Sequence, residues 1–248
     1  KYVLYRWFFG EECDCKNVTT IRLMAENLGQ LHSSLQNFYE EPVLLQQPLL
    51  SRYDKHNREM KHVYGYMRGK KKKTEFERYA MQCFPNFYER AMQVRSQLSE
   101  NLYYKEHSGQ TKDVCHGEYN YHNLLLTKSG LATTNFEHAA PGVQLLDMAY
   151  FMRKVMEKNK WQVEKGVVLW NGYCEGAGCS KKELEFLITI LSYPIKYWKL
   201  LNQYINSKKT WISNKSMEKL KAVCEQEESK DKFLQQMRTF TLGTSQKV

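Results

Sequence analysis

The residues best suited to chemistry lie in mid-chain, in His116-Gly-Glu-Tyr-Asn-Tyr-His-Asn123, and twelve residues after Asn123 comes Asn135-Phe-Glu137. Those types at that spacing suit phosphoryl transfer. Glu118 would face an acceptor hydroxyl and take its proton as general base. Asn123 would offer an amide oxygen to Mg²⁺, and an oxygen ligand at Asn135 would hold the metal that bridges the phosphates. Glu137, two residues on, is a further carboxylate within reach of the same place.

Such groups must be held by a rigid frame, and the flanking sequence supplies one. Asp113-Val-Cys115 and Leu124–Thr127 read as short strands on either side of the polar loop. Lys128-Ser-Gly130 is turn chemistry, and Leu131–Thr134 returns as the partner strand. The loop and the end of this hairpin leave the same edge of a small sheet, which brings the three groups together.

Everything else is helical in pattern. Val18, Ile21, Ala25, Leu28, His32 and Leu35 recur at steps of three and four, an apolar helix face with His32 inside it. Arg52–Arg68 reads as a second helix. Phe76 through Leu98 reads as a long third one, bent near Pro85. After Pro141-Gly142 the pattern predicts helices over about 145–158, 162–175, 181–192, 195–206 and 214–238. The aromatic, β-branched residues 1–9 predict a buried strand ended by Gly10. Tyr193, Trp198, Tyr204 and Trp211 fall at near-helical spacing and read as packing between the late helices, with an acceptor or docking groove as the alternative.

The 248 residues are enough for a large domain or two lobes. No apolar run reaches the ~20 residues of a membrane span. The net charge is +10, and the window from Arg52 to Lys73 holds nine Lys/Arg against two acidic residues. That window is a solvated helix face and Lys-rich loop, or a surface for an anionic partner. No recognition helix or RNA-binding aromatic signature accompanies it, so neither DNA nor RNA is expected. The seven cysteines include no Cys-x-x-Cys pair and no zinc spacing, and they predict mostly free thiols in a reduced compartment.

His116-Gly-Glu-x4-Asn123 resembles the H-G-D-x4-N loop of aminoglycoside-phosphotransferase-like kinases, and Asn135-Phe-Glu137 resembles their D-F-[DE] metal motif. Leu146-Asp147-Met-Ala-Tyr-Phe-Met-Arg153 is similar to the segment that follows in them. Within that group the chain resembles the CotS-type family of bacterial spore coat proteins, through Leu28-Gly-Gln-Leu-His32, the Lys-rich loop, Trp161, Ser192-Tyr-Pro-Ile-Lys-Tyr-Trp-Lys199, Tyr204–Ser207 and Lys209-Thr-Trp211.

The resemblance implies an α+β, protein-kinase-like fold, mainly the helical large lobe with a small catalytic β-hairpin. Residues 1–12 would be the last strand of the small lobe or the hinge, and 13–248 the large lobe carrying the catalytic loop at 113–137. The glycine-rich loop and phosphate-pairing Lys of a small lobe would lie upstream. His116 and Asp147 would be structural, the one bonding backbone near the metal motif, the other tying the loop down. ATP and Mg²⁺ would be the cofactors, bound weakly or not at all. Other coat proteins would be the partners, after synthesis in the cytoplasm and delivery to the spore coat.

Two departures from that pattern bear on catalysis. Glu118 stands where the family-type base is Asp, which moves the carboxylate by about 1 Å, and such misplacement costs up to ~10²-fold. Asn135 stands where the metal ligand is Asp, removing a charge that a hard cation prefers. The expectation is a coat protein with a kinase-like fold and impaired phosphotransfer, a pseudokinase. The alternatives are an active ATP/Mg-dependent phosphotransferase acting on a small hydroxyl-bearing molecule or a coat protein, and a nucleotide sensor.

Overall fold

The computed structural model describes residues 7, 9–45, 47–207 and 214–244. The predicted N-terminal strand, apart from Trp7 and Phe9, and the aromatic residue Trp211 lie outside the described residues.

In chain order the elements are β1 (Glu11–Glu12), α1 (Val18–Ser34), β2 (Val43–Leu44), α2 (Leu49–Gly69), α3 (Glu75–Glu100), α4 (Leu102–His107), β3 (Gln110–Thr111), β4 (Val114–Cys115), β5 (Leu124–Thr127), β6 (Gly130–Thr133), β7 (Ala140–Pro141), α5 (Leu145–Lys158), α6 (Val163–Ala177), α7 (Lys181–Ser192), α8 (Ile195–Asn206), α9 (Asn214–Glu225) and α10 (Glu227–Thr244). Short 3-10 turns occupy Tyr121–Asn123 and Phe136–His138. The chain forms two compact units, 1–45 with 110–187 and 46–109 with 188–248.

Among the described residues, every strand lies in the first unit. β1, β5 and β6 form one antiparallel sheet, and β2–β3 and β4–β7 are two-stranded. Just past Gly10, Glu11 and Glu12 pair with Leu126 and Leu125. The β5–β6 hairpin keeps the register Leu124↔Thr133 to Thr127↔Gly130.

Asn17 caps α1 by accepting the Thr20 N–H at 3.1 Å. Ile21, Met24, Ala25 and Leu28 line its buried face. α1 lies against α6 at backbone distance, because glycines stand at the crossing. A Cβ on Gly29 would come within 2.3 Å of the Tyr173 carbonyl oxygen, and one on Gly176 within 2.6 Å of the Glu26 carbonyl oxygen. Arg22 closes the exposed edge with a fork onto Glu175.

Past α6 the expectation of free thiols fails at one pair. Cys174 and Cys179 are disulfide-bonded. Gly178, at φ +70°, turns the chain back and brings their Cα atoms to 5.1 Å.

The described elements of the second unit are all helices. Thr74 and Glu77 form a capping box at the start of α3, which runs through Pro85 as one helix. Tyr53 of α2 stacks on Tyr193 at 3.7 Å, and Phe87 of α3 stacks on Tyr197 at 4.3 Å. The hydroxyls find partners too. Tyr193 donates to Asn57 at 2.7 Å, Tyr197 to the Ala80 carbonyl at 2.6 Å, and Tyr204 to Glu77. Trp198 donates its ring N–H to Glu59 at 2.7 Å. The described aromatic residues of the late helices thus stack and bond within this unit.

The single helix expected over 214–238 is two. A turn at Gln226 separates α9 from α10, and Glu227 and Glu228 occupy the first turn of α10, where carboxylates favour a helix N-terminus.

Candidate functional site

β4 enters the polar loop, and Asp147 on the first turn of α5 fixes it from below. Asp147 is buried, and its carboxylate accepts the His116 N–H at 2.6 Å and the Gly117 N–H at 3.1 Å. His32, buried in α1, places Nε2 3.4 Å from the same carboxylate and Nδ1 2.9 Å from the Tyr173 hydroxyl. The apolar-face histidine is therefore part of a buried polar chain under the loop.

His116 is fully buried. Its Nδ1 accepts the Glu118 N–H at 3.2 Å, which leaves Nε2–H to donate to the Thr134 carbonyl at 2.9 Å. That pair of bonds joins the loop to the end of β6. Tyr119 is buried as well, donating to the Met24 carbonyl at 2.6 Å and meeting Asn27 at 2.9 Å. Burial pushes its hydroxyl pKa well up. Asn27 also accepts from Thr133 at 2.8 Å, so one α1 amide anchors both loop and hairpin.

Gly117 is required by two constraints. Its φ is +81°, and a Cβ there would lie 2.1 Å from the His138 carbonyl oxygen. The loop and the 3-10 turn after Asn135 consequently touch through backbone. Glu118 follows with its side chain partly exposed, a carboxylate oxygen 3.7 Å from His138 Nε2. Its carbonyl accepts the side-chain N–H groups of Asn120 at 2.9 Å and Asn123 at 2.8 Å.

Asn135 is left-handed, at φ 64° and ψ 58°, a conformation asparagine tolerates better than most side chains. Its Nδ2 donates to Asn123 Oδ1 at 3.4 Å. Asn123 in turn accepts at its backbone carbonyl from Thr134 N–H and Oγ1, at 2.9 and 3.1 Å. Glu137 is exposed on the following turn.

The fold thus gathers Glu118, Asn123 and Asn135 around one loop, with His116 and Asp147 beneath. Sequence reasoning did not find the contact of His138 with Glu118, the anchor at Asn27, or the link from His32 to Asp147. The last two lie far away in the chain and carry no local signal. His138 was within the motif's reach, three residues past Asn135.

The donor set does not fit a Mg²⁺ centre. The oxygen that Asn123 would offer accepts the amide N–H of Asn135, and both groups are neutral. Among the described residues no three or more His, Cys, Asp or Glu converge as a metal site. Glu118 presents its carboxylate half open to solvent.

A polar loop tied by a buried aspartate leads to a hairpin that ends in the left-handed Asn135, and the fold around them is kinase-like. The fold is that of an aminoglycoside phosphotransferase from Alicyclobacillus acidocaldarius subsp. acidocaldarius, with a TM-score of 0.81 at 18% identity over 94% of this chain and 69% of that one. An ethanolamine kinase from Plasmodium vivax is also similar, with a TM-score of 0.49 at 17% identity over 90% of this chain and 66% of that one. Residues 13–237 match the family described as spore coat putative kinase YutH, and the chain belongs to that family. No curated protein matches the sequence.

Proposed function

We propose that this chain is a spore coat component whose kinase-like fold has lost efficient metal-dependent phosphotransfer. The observation that carries the reading is the Asn135–Asn123 amide pair. Where an anionic oxygen would hold a divalent cation, two neutral amides bond each other at 3.4 Å. Mg²⁺ is a hard ion that sheds water reluctantly, and neutral amides offer little to replace that water. Glu118, longer by a methylene than aspartate, adds a second cost at the base position.

Other coat proteins are the partners this reading implies. The exposed cations Arg58, Lys61, Arg68, Lys71 and Lys72 offer them an anion-binding stripe on and beyond α2. Salt-sensitive binding to isolated coat proteins, weakened in Lys71→Glu/Lys72→Glu, is the expected behaviour; undiminished binding by that variant would remove the stripe from the reading.

A second reading, phosphotransfer to a small hydroxyl-bearing molecule or a coat protein, has one observation in its favour. The Glu118 carboxylate is still presented to solvent on a loop held rigid from beneath.

Thermal-shift titration with ATP and Mg²⁺ separates the two. A ligand at a hundred times its dissociation constant stabilises by about 2.7 kcal/mol, roughly 5–10 °C in Tm for a chain of this size. No shift in the parent and a Mg²⁺-dependent shift in Asn135→Asp is the expected outcome. A Mg²⁺-dependent shift in the parent itself would favour the enzyme.

A further inference from the structure

Outside the loop, the second unit holds a pair of thiols that the kinase-like machinery does not use. Cys83 on α3 and Cys224 on α9 are 141 residues apart in sequence, yet their sulfurs lie 3.0 Å apart, with the Cys224 thiol donating to Cys83. Two sulfurs this close are separated only by their protons, so a bond between them asks for little movement of either helix. Both are partly exposed and unbridged. They sit on the wall of a cavity of about 360 Å³, whose lining includes Asn86, Phe87, Arg90 and Glu227.

The charged part of that lining is satisfied internally. Arg90 bridges Glu227 at 2.5 Å and Asp231 at 2.6 Å, and Glu228 pairs with Lys232 at 2.6 Å. A small neutral reagent entering the cavity therefore meets the thiols as its reactive groups.

We propose that Cys83 and Cys224 are an oxidisable dithiol, a site at which hydroperoxides install a disulfide that staples α9 to α3. In the first step the Cys83 sulfur attacks the outer oxygen of the hydroperoxide. The O–O bond breaks, the sulfur becomes a sulfenic acid, and the remaining oxygen leaves with the thiol proton as water or an alcohol. In the second step the Cys224 sulfur displaces the hydroxyl from Cys83. The S–S bond forms, and water leaves with the Cys224 proton. Two thiols lose two electrons in all, and one peroxide bond gains them.

Burial pushes the Cys224 thiol up, its bond to Cys83 adds to this, and the Tyr79 hydroxyl opposes it only in part. The bridge would close a loop far longer than that of Cys174–Cys179, with a correspondingly larger restriction of the unfolded chain.

The test is hydrogen peroxide treatment of the full chain, alkylation of the remaining thiols and non-reducing peptide mapping. A Cys83–Cys224 cross-linked peptide, lighter by two hydrogens, is expected as the first new product. A Tm raised by several degrees should accompany it, be reversed by dithiothreitol and be absent from Cys83→Ser and Cys224→Ser. The proposal is overturned if both cysteines stay alkylatable while others oxidise, or if they advance to sulfinic acids without cross-linking. The parent's peptide map decides this alone, so a variant that folds poorly does not obscure it.

Discussion

The Asp147 carboxylate reaches back thirty-one residues to accept the backbone N–H of His116 at 2.6 Å, and takes the Gly117 N–H beside it. One side chain on a helix therefore sets the course of the loop that presents Glu118. Because the carboxylate is buried, its hydrogen bonds replace the water it has lost, and water cannot replace them.

Removing that carboxylate should cost more than one hydrogen bond. Asp147→Ala leaves the buried His116 N–H and the more exposed Gly117 N–H without their acceptor, and a loss of roughly 2–3 kcal/mol is expected. Urea unfolding should show a lower midpoint with an unchanged slope. Asp147→Asn, which keeps one acceptor oxygen, should fall between parent and Asp147→Ala.

Gly117→Ala should be as damaging as a buried deletion although it adds only a methyl. The φ of +81° disfavours any side chain, and the His138 carbonyl at 2.1 Å leaves no room for one. A loss of roughly 2–3 kcal/mol is expected by the same urea assay, with faster hydrogen exchange confined to the loop and the turn after Asn135. Gly130→Ala is also strained, at φ +120°, but with nothing within 4 Å it lacks the clash and should leave hydrogen exchange around Asn135 unchanged.

Glu77 is a carboxylate with no solvent exposure, held by Lys70 at 2.5 Å, the Tyr204 hydroxyl and the Thr74 N–H at 2.7 Å. Burial raises its pKa, but the hydrogen bonds from Lys70, Tyr204 and Thr74 outweigh it and leave the group below the usual carboxylate range. Glu77→Ala should destabilise by roughly 2–4 kcal/mol. A lowered pKa means stability present above the ordinary carboxylate value and lost as pH falls through the folded one. The acid side of a stability–pH curve should accordingly flatten in Glu77→Gln.

His56 gives a second pH window with its own sign. Its ring stacks on Trp198 at 3.6 Å, and its buried Nδ1 has no hydrogen-bond partner among the described residues. Burial lowers its pKa from 6.5 to about 4, with Arg52, Lys55 and Lys199 adding to that and Glu59 opposing it. Between those values the unfolded chain binds the proton and the native chain does not, so stability should fall as pH drops through the window. His56→Phe keeps the stack and removes the proton site. Melting temperatures from pH 7 to 4 should decline less in that variant than in the parent.

Much of the fold was legible because its signals are local. Asn17, the apolar steps of α1, the Lys128-Ser-Gly130 turn and Pro194 ahead of α8 mark elements that backbone preference and side-chain periodicity define within a few residues. That Glu118, Asn123 and Asn135 lie together was legible for the same reason, since one loop and one hairpin carry all three. The break at Gln226 was missed because neither Gly nor Pro marks it, although the glutamates after it are a helix-start signal. The two-residue strands at Val43 and Gln110 are too short to show any alternation.

By itself the sequence determined the helices, the hairpin and the order of the polar groups along the loop, because these depend on neighbours in the chain. Tertiary structure alone decided what those groups touch. It joined His32 to Asp147, Glu118 to His138, Tyr204 to Glu77 and Cys83 to Cys224, each across a turn or a distance that no local pattern records. It also turned the Asn135 amide toward Asn123. Hydrogen bonds and sulfur contacts act over about 3 Å, so which distant residues meet is settled only when the helices pack.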